Sequence, residues 1–171
     1  KGVPSMTWSN LLQIIAKLRS PEGCPWDREQ THASLKRFLL EESYELFEAI
    51  DQEDAQSIKD ELGDVLLQVL LHAQIAQEDE AFTMDDVVTN LSEKLVRRHP
   101  HVFGGTPWGR PVHAETPADV VKTWDAVKKT EDISEERVSV LDGVPKVFPA
   151  LMRAEKIQKK AAKVGFDWDQ T

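Results

Sequence analysis

Hydrophobic positions along this chain recur at the three-to-four-residue spacing that gathers them on one face of an α-helix. Trp8, Leu11, Leu12, Ile15 and Leu18 mark a first helix, which must stop before Pro21. Pro21, Gly23 and Pro25 then punctuate a turn-rich segment from Ser20 to Asp27. The next helix runs from about Ser34 to Ile50, with Leu35, Phe38, Leu39, Leu46 and Ile50 on its apolar side. A short polar link, Asp51 to Asp54, leaves room for a tight helix–helix turn with Asp54 as N-cap. A long helix follows from about Ala55 to Gln77, carrying Ile58, Leu62, Val65, Leu66, Val69, Ala73 and Ala76. Within it lies the longest apolar run, Val65 to Leu71, interrupted by Gln68 and far too short to span a bilayer.

Thr83 can cap a further helix whose first turn holds Asp85 and Asp86, favourable against the helix dipole. Val87, Val88, Leu91 and Leu95 are expected to be its buried side, and Lys94, Arg97 and Arg98 close it before Pro100. Pro100 to Glu115 is rich in Gly and Pro and reads as a loop. Thr116 and Pro117 supply an N-cap and N1 pair, opening a helix with Val120, Val121, Trp124, Val127 and Lys128. Thr130 to Arg137 is a charged connector. A last helix begins near Pro149, shows Leu151, Ala154, Ile157 and Ala161, and has Gly165 placed to end it. No stretch alternates with period two for long enough to suggest a sheet. The expected fold is all-α, an antiparallel bundle of five or six helices.

Composition narrows the class without naming a chemistry. A chain of 171 residues, 40% hydrophobic and 30% charged, fits one soluble globular domain with a core of its own. Cys24 is the sole cysteine, so no intrachain disulfide can form and a reducing, cytoplasmic setting is expected. A net charge of −9 argues against a nucleic-acid partner, and no segment suggests a membrane partner or a signal peptide. An anionic small substrate stays open, because a bound metal can reverse the field locally. Residues 1–6 read as an N-terminal extension or processing remnant, 7–168 as one domain and 169–171 as a tail.

The candidate chemistry lies in Glu41-Glu42-Ser43-Tyr44-Glu45 and, beyond the predicted turn, Glu61-Leu62-Gly63-Asp64. Glu42 and Glu45 share a helix face at i, i+3, as do Glu61 and Asp64. Both pairs are centred on position 53, so an antiparallel hairpin sets Glu45 opposite Glu61 and Glu42 opposite Asp64. Four like charges at one height repel, and a divalent cation would offset that repulsion. Oxygen-only ligands suit Mg²⁺ or Mn²⁺; iron is disfavoured because these helices contain no Glu-x-x-His. The competing reading is a solvated acidic face, of which Glu48, Asp51, Glu53 and Asp60 are plain members. Gly63, costly in a helix interior, hints at close packing or ligand approach.

Cations and aromatics could complete a substrate site. Lys94, Arg97 and Arg98 either serve a helix C-terminus or meet phosphate. Trp124 and Lys128, at i, i+4, are either a core Trp with a solvated Lys or a base-stacking plane beside a cation. Trp26, read as lying on a loop, either plugs the core or reaches a base. His72 is taken as structural, and His99 and His101 have no convincing metal-ligand spacing.

These residues together resemble the MazG-type nucleoside triphosphate pyrophosphohydrolases of the all-α NTP pyrophosphatase superfamily. The likeness rests on Glu41-Glu42-x-x-Glu45, on Glu61-x-x-Asp64 and on Gly23-Cys24-Pro25-Trp26-Asp27. It extends to Arg97-Arg98-His99-Pro100-His101-Val102-Phe103, Lys156-Ile157-Gln158-Lys159 and Gly165-Phe166-Asp167-Trp168. The resemblance implies a homodimer with a shared helical core and Mg²⁺-dependent cleavage of nucleoside triphosphates to the monophosphate and pyrophosphate. It implies Glu42, Glu45, Glu61 and Asp64 as metal ligands, with Glu41 outside them or positioning the attacking water. Lys94 and Arg98 match phosphate-contacting cations, and Trp124 with Lys128 a base-stacking pair. Many such proteins carry two copies in tandem that need not be equally active, and this chain is similar to the N-terminal copy. A non-catalytic nucleotide-binding and dimerisation module is therefore the rival expectation. One departure is Ser57, where some members carry a basic residue; Lys59 is the nearest cation.

Overall fold

The computed structural model describes residues 6–104, 114–131 and 139–167, with eight helices and no β-strand among them. They are α1 (Trp8–Arg19), α2 (Pro25–Glu29), α3 (His32–Asp51), α4 (Ala55–Glu78), α5 (Met84–Arg98), α6 (Pro100–Phe103), α7 (Pro117–Glu131) and α8 (Ala150–Ala162). The all-α expectation holds, but the helix count exceeds five or six. The two additions are single turns, α2 and α6, inside segments read as turn and loop. Each begins on a proline whose fixed φ suits the first helical position.

The helix starts follow one chemical rule. Thr7, Thr31, Thr83 and Thr116 each accept from the backbone N–H three residues on, at 3.1–3.3 Å. The side chains of Asn10, Ser34, Asp86 and Asp119 return a bond to the threonine N–H. These reciprocal bonds satisfy donors that a helix start otherwise leaves open. Thr31 starts α3 at His32, two residues before the sequence-predicted Ser34. Asp54 caps α4 as expected, accepting from Gln56 N–H at 3.0 Å.

The chain divides into two compact units, residues 1–94 and 95–171. In the first, α3 and α4 form an antiparallel hairpin around Gln52–Asp54. Its core is Ile15 of α1, Leu35 of α3 and Leu70, Leu71 and Ile75 of α4, with Leu11, Leu12, Leu18, Phe38, Leu66, Leu67 and Met84 packed around them. Each such buried leucine or isoleucine contributes about 1.5–3 kcal/mol. This core fills the half of the hairpin away from the turn, while the turn-side half carries the acidic pairs beside apolar side chains, such as Phe47 and Leu62, that are exposed within this chain. Arg19, 6% exposed, locks α1 to that core: it pairs with Glu78 at 2.8 Å and donates to the carbonyls of Asp27 and Gln30. Gly23 sits so tightly on the end of α1 that a Cβ there would lie 2.2 Å from the Leu18 carbonyl oxygen, so only glycine fits.

In the second unit α8 ends on Gly165, at φ +85°, with Gly165 N–H bonded to Ala162 O and Phe166 N–H to Ala161 O. That is the glycine closure its sequence position promised. Lys160 of α8 donates to the carbonyls of Val140 and Asp142, tying the turn before α8 to the helix. Contrary to expectation, α5 buries no residue: Val88, Leu91 and Leu95 are all exposed within this chain. Part of the segment predicted as a loop, 105–113, and most of the charged connector, 132–138, lie outside the described residues.

Candidate metal centre

The α3–α4 hairpin carries the acidic pairs onto one face near its turn. Glu42, Glu45 and Glu61 each offer a carboxylate oxygen, and these oxygens all lie within 4.8 Å of one another. Asp64 is not within that mutual distance, so the geometry gathers three of the four expected ligands. It is nevertheless near enough to act on the cluster. Burial, then the charges of Asp64, Glu45, Glu61 and Glu41, raise the Glu42 carboxyl above the ordinary glutamate range. Burial, then Glu45, Asp64 and Asp60, raise Glu61 likewise. Glu41 is exposed beside them and contributes charge rather than a clustered oxygen.

Whether these residues fit a cation can be judged from Glu61. Its Oε2 is sealed from solvent and has no hydrogen-bond partner. A carboxylate oxygen buried without a donor is costly unless something positive meets it. Opposite ligands of an octahedral Mg²⁺ stand about 4 Å apart, so small side-chain rotations would close the present cluster onto an ion. An open groove of about 390 Å³, lined by Glu45, Glu48, Ala49, Gln52, Ser57 and Glu61, adjoins it. The donor set is all oxygen and suits a hard divalent cation.

The other sequence candidates fall in several places. Trp26 lies on α2 rather than on a loop, half exposed, with its ring edge-on to Phe38 at 5.5 Å. It rests against the core without plugging it. Ser57 gives its hydroxyl to Asp54 at 2.6 Å, so the position that departs from a basic residue serves the α4 cap. Lys59 donates to Gln56 and lies at the limit of ion-pair distance from Asp60. A Cβ on Gly63 would meet nothing within 4 Å, so no close packing within this chain demands glycine there. Lys94 lies on α5 in the first unit, and Arg98 ends the same helix in the second.

Within the second unit Trp124 stands edge-to-face with His99, ring centroids 5.1 Å apart, and its indole Nε1 is buried without a partner. His99 Nδ1 lies 2.6 Å from the Leu95 carbonyl, which makes that nitrogen the donor and fixes the ring beside Trp124. Sequence spacing gave no hint of this role for His99, because the contact bridges the end of α5 and α7. The Lys128 side chain lies outside the described residues. His72, read as structural, pairs with His32 through Nδ1 atoms 2.7 Å apart across stacked rings. Burial first, and His32 second, lower the His72 pKa.

The fold and the site together define an all-helical domain whose α3–α4 hairpin gathers an oxygen-only acidic cluster suited to a hard divalent cation. Comparison with known proteins gives the family: residues 30–103 match the MazG nucleotide pyrophosphohydrolase domain, and the chain belongs with the MazG proteins. It is 50% identical over 161 residues to the nucleoside triphosphate pyrophosphohydrolase/pyrophosphatase MazG of Thermotoga maritima, covering 94% of this chain and 59% of that protein. It is 47% identical over 159 residues to the Escherichia coli K12 nucleoside triphosphate pyrophosphohydrolase, covering 92% and 58%. A Bacillus subtilis relative, the uncharacterized protein YabN, is 55% identical over 152 residues, or 89% of this chain and 30% of that one. The chain thus spans between 30% and 59% of the length of these relatives. The crystal structure of a mazG-related protein from Thermotoga maritima shares the fold, with TM-score 0.58 and 29% identity over 71% of this chain and 98% of that one.

Proposed function

We propose that this chain hydrolyses nucleoside or deoxynucleoside triphosphates to the monophosphate and pyrophosphate, using Mg²⁺, or Mn²⁺ in its place. The observation that carries the reading is the convergence of Glu42, Glu45 and Glu61 with an unpartnered, sealed Glu61 Oε2. The names of the relatives supply the reaction class. Glu42, Glu45, Glu61 and Asp64 would hold the metal. When bound, it would neutralise triphosphate charge and lower the pKa of a coordinated water.

The chain's own residues supply the rest of the mechanism. Burial first, and repulsion from neighbouring acids second, disfavour the charged carboxylates of Glu42 and Glu61, and a bound cation would offset both effects. Glu41, exposed next to Glu42, orients the attacking water and takes up its proton. Lys94 and Arg98 meet charge that builds on the leaving pyrophosphate, a purely electrostatic contribution. Trp124, held by His99 within the second unit, offers a plane for the base; Lys128 and Trp26 are further candidates for substrate contact on the ground of the family resemblance. A stacking plane tolerates any base, so broad base preference is expected. We further propose that the working unit is a homodimer, whose second copy covers the apolar faces left open on α3 and α5.

The test is incubation with a panel of nucleoside triphosphates and Mg²⁺, followed by chromatography of the products. Monophosphate plus pyrophosphate supports the proposal. Diphosphate plus orthophosphate, or full activity in Glu61→Ala, overturns it. Mg²⁺-dependent nucleotide binding without turnover would instead support a regulatory, non-catalytic module.

A further inference from the structure

Gln68 breaks the longest apolar run of the chain, and the structure makes that interruption harder to explain as surface chemistry. Gln68 is 4% exposed, and its Oε1 is buried with no hydrogen-bond partner. It is the single buried polar residue among the described core. Leaving a carboxamide oxygen unsatisfied in this way costs about 1–3 kcal/mol. An apolar residue of the same length would avoid the cost, so packing alone does not account for glutamine here.

Its position on α4 suggests what does. Gln68 is four residues after Asp64 and four before His72, so the three are neighbours on successive turns of one helix. Helical side chains lean toward the N-terminus and cover the turn before their own Cα, which for Gln68 is the turn of Asp64. On the other side His72 is held by its Nδ1 contact with His32 at 2.7 Å and is not free to turn toward the carboxylates. Asp64, in contrast, is exposed and is the one expected ligand that stands outside the three-carboxylate cluster. Something must fix its rotamer if it is to join them.

Resting on the metal-site reading above, we propose that Gln68 is a positioning residue for the carboxylate centre. Its amide Nε2–H donates to the Asp64 carboxylate and holds it turned toward Glu42, Glu45 and Glu61. The Oε1 that is now unpartnered then accepts from water of the hydrated site. Residues that hydrogen-bond to metal-ligating carboxylates orient them, and their loss typically weakens metal binding by about 10–100-fold.

The experiment compares wild type with Gln68→Met and Gln68→Leu, two apolar residues of similar size. Mg²⁺ affinity is measured by calorimetry without nucleotide, and thermal stability is measured without metal. The expected result has opposite signs in the two readouts: the variants melt higher, because the orphaned oxygen is gone, yet bind Mg²⁺ at least about tenfold more weakly. A role confined to packing would move stability and leave Mg²⁺ affinity unchanged, and that outcome overturns the proposal while the metal site stands. Variants that melt lower and bind Mg²⁺ as well as wild type overturn it equally. Absence of Mg²⁺ binding in wild type overturns the metal-site reading and this proposal with it.

Discussion

Glu42 and Glu61 are the residues at which the fold works against itself. Both carboxyls are raised by burial first and by neighbouring acids second, so the folded chain favours their protonated forms. A carboxyl raised in this way stabilises the fold fully below its unfolded value and loses that contribution as pH rises through the folded one. Without divalent metal, neutral pH is therefore the condition in which these two groups oppose folding most. Replacing both with glutamine removes the opposition. The double variant Glu42→Gln/Glu61→Gln should melt above wild type at about pH 7 in chelator, and the gap should narrow toward about pH 4, where wild type is itself protonated. Millimolar Mg²⁺ should raise the melting temperature of wild type alone. Melting curves at both pH values with and without Mg²⁺ check it; a gap that does not shrink on acidification would contradict the assignment. The spacing of these acids was legible in the sequence because i, i+3 pairs mirrored about a turn can only meet. The outward placement of Asp64 was not, since it depends on a side-chain rotamer rather than on helix register.

Helix ends in this protein are set by side chains at their starts and by backbone strain at two of their stops. Glu53 after α3 and Glu80 after α4 both adopt left-handed backbone, with φ 54° and 56°. Each closes its helix with a paired bond: Glu53 N–H to Ile50 O and Asp54 N–H to Ala49 O, then Glu80 N–H to Gln77 O and Ala81 N–H to Ala76 O. Glycine is the residue that takes this conformation without a Cβ penalty. Glu80 stands away from the carboxylate site, so Glu80→Gly should raise stability by about 0.5–1 kcal/mol without altering turnover, the relief of strain outweighing the added freedom of the unfolded chain. Chemical denaturation of the purified variant measures it. Gly165 shows the same closure with the expected residue, and so was predictable; Glu53 and Glu80 gave no such signal. The longer helices were visible as three-to-four-residue periodicity, and Thr83, Thr116 and Asp54 as caps. The single-turn helices α2 and α6 were not, because five and four residues carry no periodicity and their prolines read as breakers.

Among the described residues, two helices carry apolar faces that stand open. On α3, Leu40, Tyr44 and Phe47 follow at i, i+4 and i+7, and Leu40 and Phe47 are 57% and 55% exposed. On α5, Val88, Leu91 and Leu95 follow at i, i+3 and i+7, also exposed. Helical spacing is the mark of a face selected for burial, and contiguous apolar faces on a soluble protein mark interaction surfaces. The sequence showed which residues were apolar and at what period, but not that these faces stand open among the described residues. A second copy is the occupant under the proposed dimer, and a two-fold arrangement would bring the same face of each copy together. Each large apolar side chain covered this way contributes about 1.5–3 kcal/mol, enough for a few of them to hold a stable pair. Light scattering should then give about twice the 19.4 kDa chain mass, and the melting temperature should rise with protein concentration. Phe47→Asp and Leu91→Asp, each placing a charge on an open face, should shift the mass toward the monomer while helical content is kept. A single-chain mass for wild type at micromolar concentration would refute the dimer and leave those faces for a different partner.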